Sequence, residues 1–532
     1  MEVGQVMPTL SNKHANAQRM FYTGFDGGLN LAVPSESMAK NELKEAVNVE
    51  FSPLTGCMKV RGGLVWSGRF PYSIPICDVV PVLGRRGFIT RASNSPMLYY
   101  FRWNNIWPIT QAGVNWLSTW DGKMSIVPWV ESIDTDGDGE ADTDRNCWLF
   151  TAGGRLQKFT DNPYPRYSTI MSAPVNCRLV FVRNGRVGVV CKEDGEDRIR
   201  FSAVGDCESA NSWTNDENDS SSAQWLDVGY KDGMKIDAVV PLSKDLIVFK
   251  SPPGEPDKGT IWRVTGDFSS DLQAVEVAHN TGTFSQNSVC AIGNDIFYAT
   301  TAGIATLSTV VNYGEVRTAW PDRKVSNALT PELDNTARLF DVPVKQQLWV
   351  VPNDESKKIW VLYYARGIWT TFEFPEKIVY ATGVDNSLFV FIGCDLYEVN
   401  DWYTQDDMRN SSGTEDIKEI DAYMKLGTIL SGMQTLIKGA FASFQLMPEC
   451  KAELCLGKYS MEFSAGGSVD RIFDPPNDTQ FASEDTDPLF PDGSVLTSRR
   501  RFIVREWAVT PEIKIRGGGC AVSTIGLETV EV

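Results

Sequence analysis

The sequence predicts an all-β chain, a β-propeller of six or seven blades with a C-terminal β-sandwich domain. Three observations carry that prediction. The first is a strand-turn-strand phrase that returns along the chain: NGRVGVVC from Asn184, SKDLIVFK from Ser243, GNDIFYAT from Gly293, QQLWVVP from Gln346 and DNSLFVFIG from Asp385. Each copy is a polar Gly/Asn/Asp turn followed by a run of β-branched or aromatic residues, the sequence form of a strand leaving a hairpin. The second is spacing. The copies start 59, 50, 53 and 39 residues apart, close to one four-stranded blade, a unit that cannot bury its apolar faces alone and so closes radially. The third is a change of pattern after about residue 403. Long alternating runs follow, such as IKGAFASFQL from Ile437, KAELCLG from Lys451, YSMEFSA from Tyr459, RRFIVREWAV from Arg500 and EIKIRG from Glu512. Period-two alternation is the pattern of half-buried antiparallel strands.

In chain order, residues 1–22 read as a polar N-terminal arm and 23–403 as the propeller. Early in the propeller, 46–51 and 57–60 are two short strands joined by a Ser-Pro-Leu-Thr-Gly turn. This hairpin is expected to complete the last blade and lock the ring. Blade-like clusters follow at 76–110, 114–160, 174–205, 234–280, 287–310, 336–373 and 378–400. Residues 404–421 are polar and acidic and read as a linker. The sandwich spans 422–532, with weak helical periodicity at 422–434 and a surface loop rich in Asp, Pro, Ser and Gly at 466–498.

Composition narrows the functional classes. With 42% hydrophobic and 22% charged residues in 532, the chain is ordered and long enough for more than one domain. A net charge of −18 repels phosphate, so the chain is not built to grip nucleic acid. It suits either plain solubility or a surface that DNA passes without sticking. The 11 cysteines are odd in number and scattered with no C-x-x-C pair, which points to neither a disulfide framework nor a zinc site but to a reducing folding compartment. Apolar runs are too short for a membrane-spanning segment, and the N-terminus lacks the apolar centre of a secretory signal.

The sharpest local motif is SIDTDGDGEADTDRN. Asp134, Asp136, Asp138 and Asp142 hold positions 1, 3, 5 and 9 of a calcium loop, Gly139 holds the sharp turn at 6, and Glu140 offers its backbone carbonyl. Arg145 stands where the bidentate Glu belongs, so Asp144 would supply the missing oxygens. The alternative is a solvated acidic hairpin tip between strands. Catalytic signatures are lacking. The two histidines, His14 and His279, cannot build a His-based triad or an H-E-x-x-H site, and no Walker loop, G-x-S-x-G or dinucleotide fingerprint occurs. No enzymatic activity is expected. Trp262, Trp349, Trp360 and Trp369 read as blade packing. The one dense basic run, Arg499, Arg500 and Arg501, reads as a solvated start of a strand or as a contact for an acidic neighbouring subunit.

One family resemblance runs through the chain. DGGLN (26–30), NELKEAVNVEF (41–51), the P-x-T-G turn (53–56) and KVRGG (59–63) resemble the N-terminus of tail nozzle and hub proteins of short-tailed double-stranded-DNA phages, also called packaged-DNA stabilization proteins. Gly62 stands where that family often has Pro. SVCAIGNDIFYATTAGIATLS (288–308) is similar to the family's blade phrase, and KKIWVLYYARGIWTTFEF (357–374) to its strand–Gly–Trp hairpin. The resemblance implies a non-enzymatic virion protein, assembled in the host bacterial cytoplasm into a ring that is usually a homohexamer. That ring lies below the portal and adaptor (the head-to-tail connector). Further implied partners are other tail proteins such as fibres or a needle, and double-stranded DNA that passes without specific binding. The rival reading is a propeller that binds or hydrolyses glycans through a carboxylate-lined funnel.

The acidic loop yields a direct test. Replacing Asp134, Asp136 and Asp138 together by Asn removes three charges at nearly constant volume. If the loop holds calcium, chelator lowers the melting temperature of the wild type and leaves the triple variant unmoved. Equal melting of the wild type with and without calcium identifies an acidic hairpin tip.

Overall fold

Frequent turn residues keep most strands short, and strands are the main regular element of the computed structural model, three of them near the C-terminus running to 17, 15 and 11 residues. It describes residues 18–52, 56–69, 76–82, 87–92, 98–102, 105–109, 124–133, 143–151, 153–160, 166–242, 244–266, 268, 272–309, 316–384, 387–410, 413–445, 450–464, 495–517 and 520–531. The chain divides into two units. One comprises Leu64–Asn400 with Asp406–Lys418, the other Met1–Gly63, Asp401–Gln405 and Glu419–Val532.

The first unit is the propeller, with six four-stranded antiparallel sheets and a seventh four-strand antiparallel meander, 338–373, among the described residues. Blades 1 to 6 are sequential meanders over 76–109, 125–169, 177–227, 235–279, 289–319 and 338–373. Blade 7 takes three strands from 378–400 and its outermost one, Gly63–Arg69, from near the other end of the chain. The first strands of successive blades are neighbours in cyclic order, with Ile378–Val384 of blade 7 beside Ile76–Val82 of blade 1. The ring is closed.

Each blade alternates apolar faces and buries them on its neighbours, so the core lies between blades. Val180, Val187 and Val189 of blade 3 pack with Cys147 and Leu149 of blade 2. Leu179, Phe181 and Val190 point the other way, toward Ile236, Leu246 and Val248 of blade 4. The innermost strands are not joined by a ladder, and side chains stitch them instead. Ser125 Oγ donates to Val180 O at 3.1 Å, Gln286 Oε1 accepts from Val239 N at 2.9 Å, and Arg338 Nη1 donates to Val379 O at 2.6 Å. Arg178 Nη2 donates to Ile236 O in the same manner. In four blades the innermost strand bulges near its start, as between Ile76 and Asp78, which adds local twist.

Closure of blade 7 rests on Asp395. Its Oδ1 accepts from Arg69 Nε at 2.7 Å and from Trp66 Nε1 at 3.1 Å, and its Oδ2 accepts from Arg69 Nη2 at 2.7 Å. Asp395 is buried and Arg69 nearly so. The hydrogen bond to Asp395 raises the Arg69 guanidinium above its ordinary value in spite of desolvation. Leu64, at the head of the strand, is fully buried and its N–H donates to Asp406 Oδ1 at 3.1 Å.

The second unit is the β-sandwich. One sheet runs Val49–Phe51, Met58–Val60, Ala521–Glu531, Ile429–Gln445, Val495–Val509, with Gln18–Thr23 paired to Ala521–Glu531. The other runs Glu42–Val47, Asp421–Leu426, Pro511–Arg516, Lys451–Leu456, Tyr459–Ser464. Its strands alternate buried and open positions: Ala422, Met424 and Leu426 are buried, as are Ala452, Leu454 and Leu456. Passages of one or two residues carry the chain from sheet to sheet at Asn48, at 427–428 and at Thr510. Asn48 adopts the left-handed conformation (φ 56°), which Asn tolerates better than most residues. Its Nδ2 donates to Asp421 O at 2.8 Å and its Oδ1 accepts from buried Arg61 Nε at 3.0 Å. Thr428 and Thr510 bond to each other through their hydroxyls at 2.7 Å.

Four expectations change. The N-terminal hairpin does not complete the last blade: its strands join the sandwich, and the next strand, Gly63–Arg69, closes the ring. Residues 23–63 therefore belong with the C-terminal segment and not with the propeller. Of the arm, 18–22 lie in a strand, while 1–17 fall outside the described residues. The polar 404–421 segment is not a plain linker but holds the antiparallel strands Gln405–Arg409 and Glu415–Glu419. These acidic strands, of which only Glu415–Glu419 is exposed, lack the apolar alternation that marks a strand in sequence. The loop expected at 466–498 lies mostly outside the described residues, and 495–498 open a long strand.

Removing Asp395 takes the carboxylate from Arg69, which keeps the Asn410 carbonyl at 2.7 Å, and loosens the closing strand. Asp395→Ala is expected to cost about 3 kcal/mol, the scale for breaking a buried ion pair on one side. The check is a lowered denaturant midpoint together with faster hydrogen exchange over 63–69.

Candidate functional site

In an antiparallel four-stranded blade the first and third turns share one end, and the second turn shares the other with the crossing to the next blade. This sorts the candidate residues. The acidic motif falls between the first two strands of blade 2. Asp134, Asp136, Asp138, Glu140 and Asp142 lie outside the described residues. Asp144 is exposed on Thr143–Thr151, opposite Ser132 at the foot of the hairpin.

Below the loop lies an ionic cluster that the motif did not announce. Glu131 pairs with Arg145, the residue at position 12 of the motif, and with Lys158 Nζ at 2.5 Å. Lys158 also reaches Glu208 Oε1 at 2.6 Å. Burial alone would raise the Glu131 carboxyl, but hydrogen bonds from Lys158 and Arg145 overcome it and leave it below the usual carboxylate range. Burial likewise opposes the Lys158 charge, and Glu131 and Glu208 more than restore it. Arg145 is thus occupied in fixing the hairpin base.

At the opposite end a cavity of about 360 Å³ opens between the second turns of blades 3 and 4 and the crossing that joins them. Its walls include Asp194, Glu196, Asp197, Arg198, Tyr230 and Lys231. The carboxylates are already engaged. Asp194 binds Arg200 through both oxygens (2.7 and 2.5 Å), Glu196 lies 3.6 Å from Arg178, and Asp197 Oδ2 accepts from Lys231 N at 2.9 Å. Arg198 binds Asp227 at 2.6 and 2.9 Å and stacks 4.0 Å from the ring of half-exposed Trp225. Fully buried Lys250 holds the crossing by donating to the Val228 and Gly229 carbonyls and to Asp232. Chemically the cleft offers the exposed ring of Tyr230 beside polar groups that are mostly paired internally, with exposed Trp225 stacked on its wall residue Arg198.

The innermost strands carry Asp78, Glu131, Asp237 and Asp341 against Arg178, Arg183, Lys235 and Arg338, a balanced set. Arg178, Arg183 and Arg338 spend hydrogen bonds on backbone carbonyls of the next blade. Burial pushes Asp237 and Asp341 up to about 6. They sit on blades 4 and 6 and do not form the close carboxylate pair of a glycosidase.

Of the other sequence candidates, Trp349, Trp360 and Trp369 are buried, with indole N–H groups on Gln347, Glu332 and Pro321, and Trp262 packs between blades 3 and 4. His279 ends an exposed outer strand, 3.8 Å from Glu276, and His14 lies outside the described residues. Arg499–501 are inside the strand Val495–Val509, opposite Phe441, Ala440 and Gly439 in register, rather than ahead of a strand. Among the described residues no three of His, Cys, Asp and Glu form a metal-holding group, and no helix is long and apolar enough to cross a membrane.

No family model and no curated protein matches the sequence. Among solved structures, virginiamycin B lyase from Staphylococcus aureus is 12% identical, with a TM-score of 0.39 over 63% of this chain and 97% of that one. BamB from Moraxella catarrhalis is 12% identical, with a TM-score of 0.35 over 64% and 96%. The Cps50 β-propeller domain of Myceliophteria thermophila is 8% identical, with a TM-score of 0.38 over 64% and 100%. At such values these likenesses carry no functional meaning for this chain.

The Glu131 cluster makes stability depend on pH. Its folded carboxyl titrates below the unfolded value of about 4.3, so its contribution is complete above that value and lost as pH falls through the folded one. Glu131→Gln is expected to cost about 2 kcal/mol at pH 7 after allowance for screening at half-exposed Arg145. Denaturant titrations at a series of pH values should show the wild-type advantage shrinking below about pH 4.

Proposed function

We propose that this chain is a structural subunit of a virion, one copy in the homo-oligomeric nozzle or hub ring of a short phage tail. The ring forms the channel below portal and adaptor that retains the genome and lets it leave. The observation that carries the reading is the ordered succession of family-like motifs at 26–63, 288–308 and 357–374. Their residues have structural work in this fold. Asn48 and Arg61 brace the passage between sheets, and 288–308 builds the first three strands of blade 5. Residues 358–373 are the outer hairpin of blade 6. At Gly63 a side chain would overlap the Gln405 carbonyl, which accounts for the glycine that ends the first motif.

In this reading DNA runs through a lumen enclosed by several copies, not through the propeller's own charge-balanced centre. The −18 charge keeps phosphate from adhering to that lumen, an effect reaching about 8–10 Å at physiological salt. The partners are further copies of the chain, the connector ring and other tail proteins. A glycan-binding propeller is the second reading, favoured by Trp225 and Tyr230 beside the cavity.

Electron microscopy of the protein mixed with connector rings is expected to show a ring of copies, six in the family pattern, seated on the connector. Monodisperse single chains that ignore the connector and bind or cleave oligosaccharides would replace this reading with the second one. Lys substitutions at lumen-facing acidic positions should slow genome release at low salt, with recovery as salt rises.

A further inference from the structure

We propose that Cys177 and Cys191 are a redox-modification site: a cross-strand thiol pair that closes to a disulfide when a small-molecule disulfide acts as oxidant. The two residues stand opposite each other on the first two strands of blade 3, and their sulfurs are 3.4 Å apart. Backbone bonding fixes the kind of pair. Lys192 N donates to Asn176 O at 3.2 Å, while the Cys177 N–H goes to Gly154 O and the Cys177 carbonyl accepts from Gly153 N. Cys177 and Cys191 are therefore a non-hydrogen-bonded antiparallel pair, the type with the shorter Cα separation of about 4.5 Å, inside the disulfide range. Closing the bond needs the sulfurs to approach to about 2.05 Å, a side-chain adjustment within one hairpin.

The same surroundings keep the pair reduced in the folded protein. Both residues are buried in the core between blades 2 and 3. The hydrogen bond shared with Cys177, and then burial, hold the Cys191 thiol well above its ordinary value. A thiol that stays protonated is a poor nucleophile, so reaction waits for local opening of the hairpin. Once one sulfur has lost its proton it attacks the small disulfide, forming a mixed disulfide and expelling one thiolate. The second protein sulfur then attacks the first and expels the other thiolate. Two electrons pass to the oxidant, and the two protons end on the two released small thiols. The product staples the innermost strand of blade 3 to its neighbour, across a span of 14 residues. Cys147 and Cys207 lie in the same core and are the internal controls for selectivity.

The test uses the whole chain, purified reduced, incubated with oxidised glutathione in mild denaturant and mapped by mass spectrometry after alkylation without reduction. The expected result is a Cys177–Cys191 linked peptide, reversed by reductant. It should come with a higher unfolding midpoint in wild type that is missing in Cys191→Val. Linkage to Cys147 or Cys207, stable glutathione adducts without closure, or full alkylation of both thiols would overturn the proposal. The wild-type map decides the matter even if Cys191→Val fails to fold.

Discussion

The propeller depends on one carboxylate. A ring of blades has a seam, and here the seam is a strand from residue 63 onward laid on a blade made at residues 378–400. Backbone pairing alone does not choose which strand fills that edge. Asp395 chooses, because the forked guanidinium of Arg69 and the indole of Trp66 both end on it. A fork-to-carboxylate fit is geometrically specific, and its burial makes any other partner costly. The contact spans more than 300 positions of sequence, so its loop-closure cost falls on a late step of folding.

Charge elsewhere is used in the same structural manner. Arginines on the innermost strands replace the ladder that those strands lack, and Lys250 gathers two carbonyls and a carboxylate at a blade crossing. The cavity carboxylates are tied to Arg178, Arg200 and the Lys231 amide. Groups consumed in this way hold loops in place, and a scaffold whose loops are fixed from within is suited to presenting surfaces.

Much was legible in sequence because it follows from local rules. Six of the seven blade-like clusters start within a few residues of the blades, the exception being the one placed from 114, while the outer strands Arg166–Thr169, Gln224–Asp227 and Val316–Ala319 lie beyond the ends of theirs. The buried tryptophans were readable as packing from their place inside apolar strands. The thiol pair left a faint signal, two cysteines placed almost symmetrically about the Asn184–Gly185 turn, one residue off. A bulge between Cys177 and Leu179 supplies that residue, and a bulge is invisible in composition.

The sequence by itself determined the strands, their turns and the alternation of two kinds of sheet, since turn chemistry and period-two burial act over a handful of residues. Only the tertiary structure decided where the strands between 18 and 60 belong, which strand closes the ring and what Arg145 does. Those choices turn on partners far away in sequence. Arg69 looks like any exposed cation until Asp395 is beside it, and Arg145 like a failed metal ligand until Glu131 faces it. Pairing energy depends on proximity and burial, and the linear sequence encodes neither.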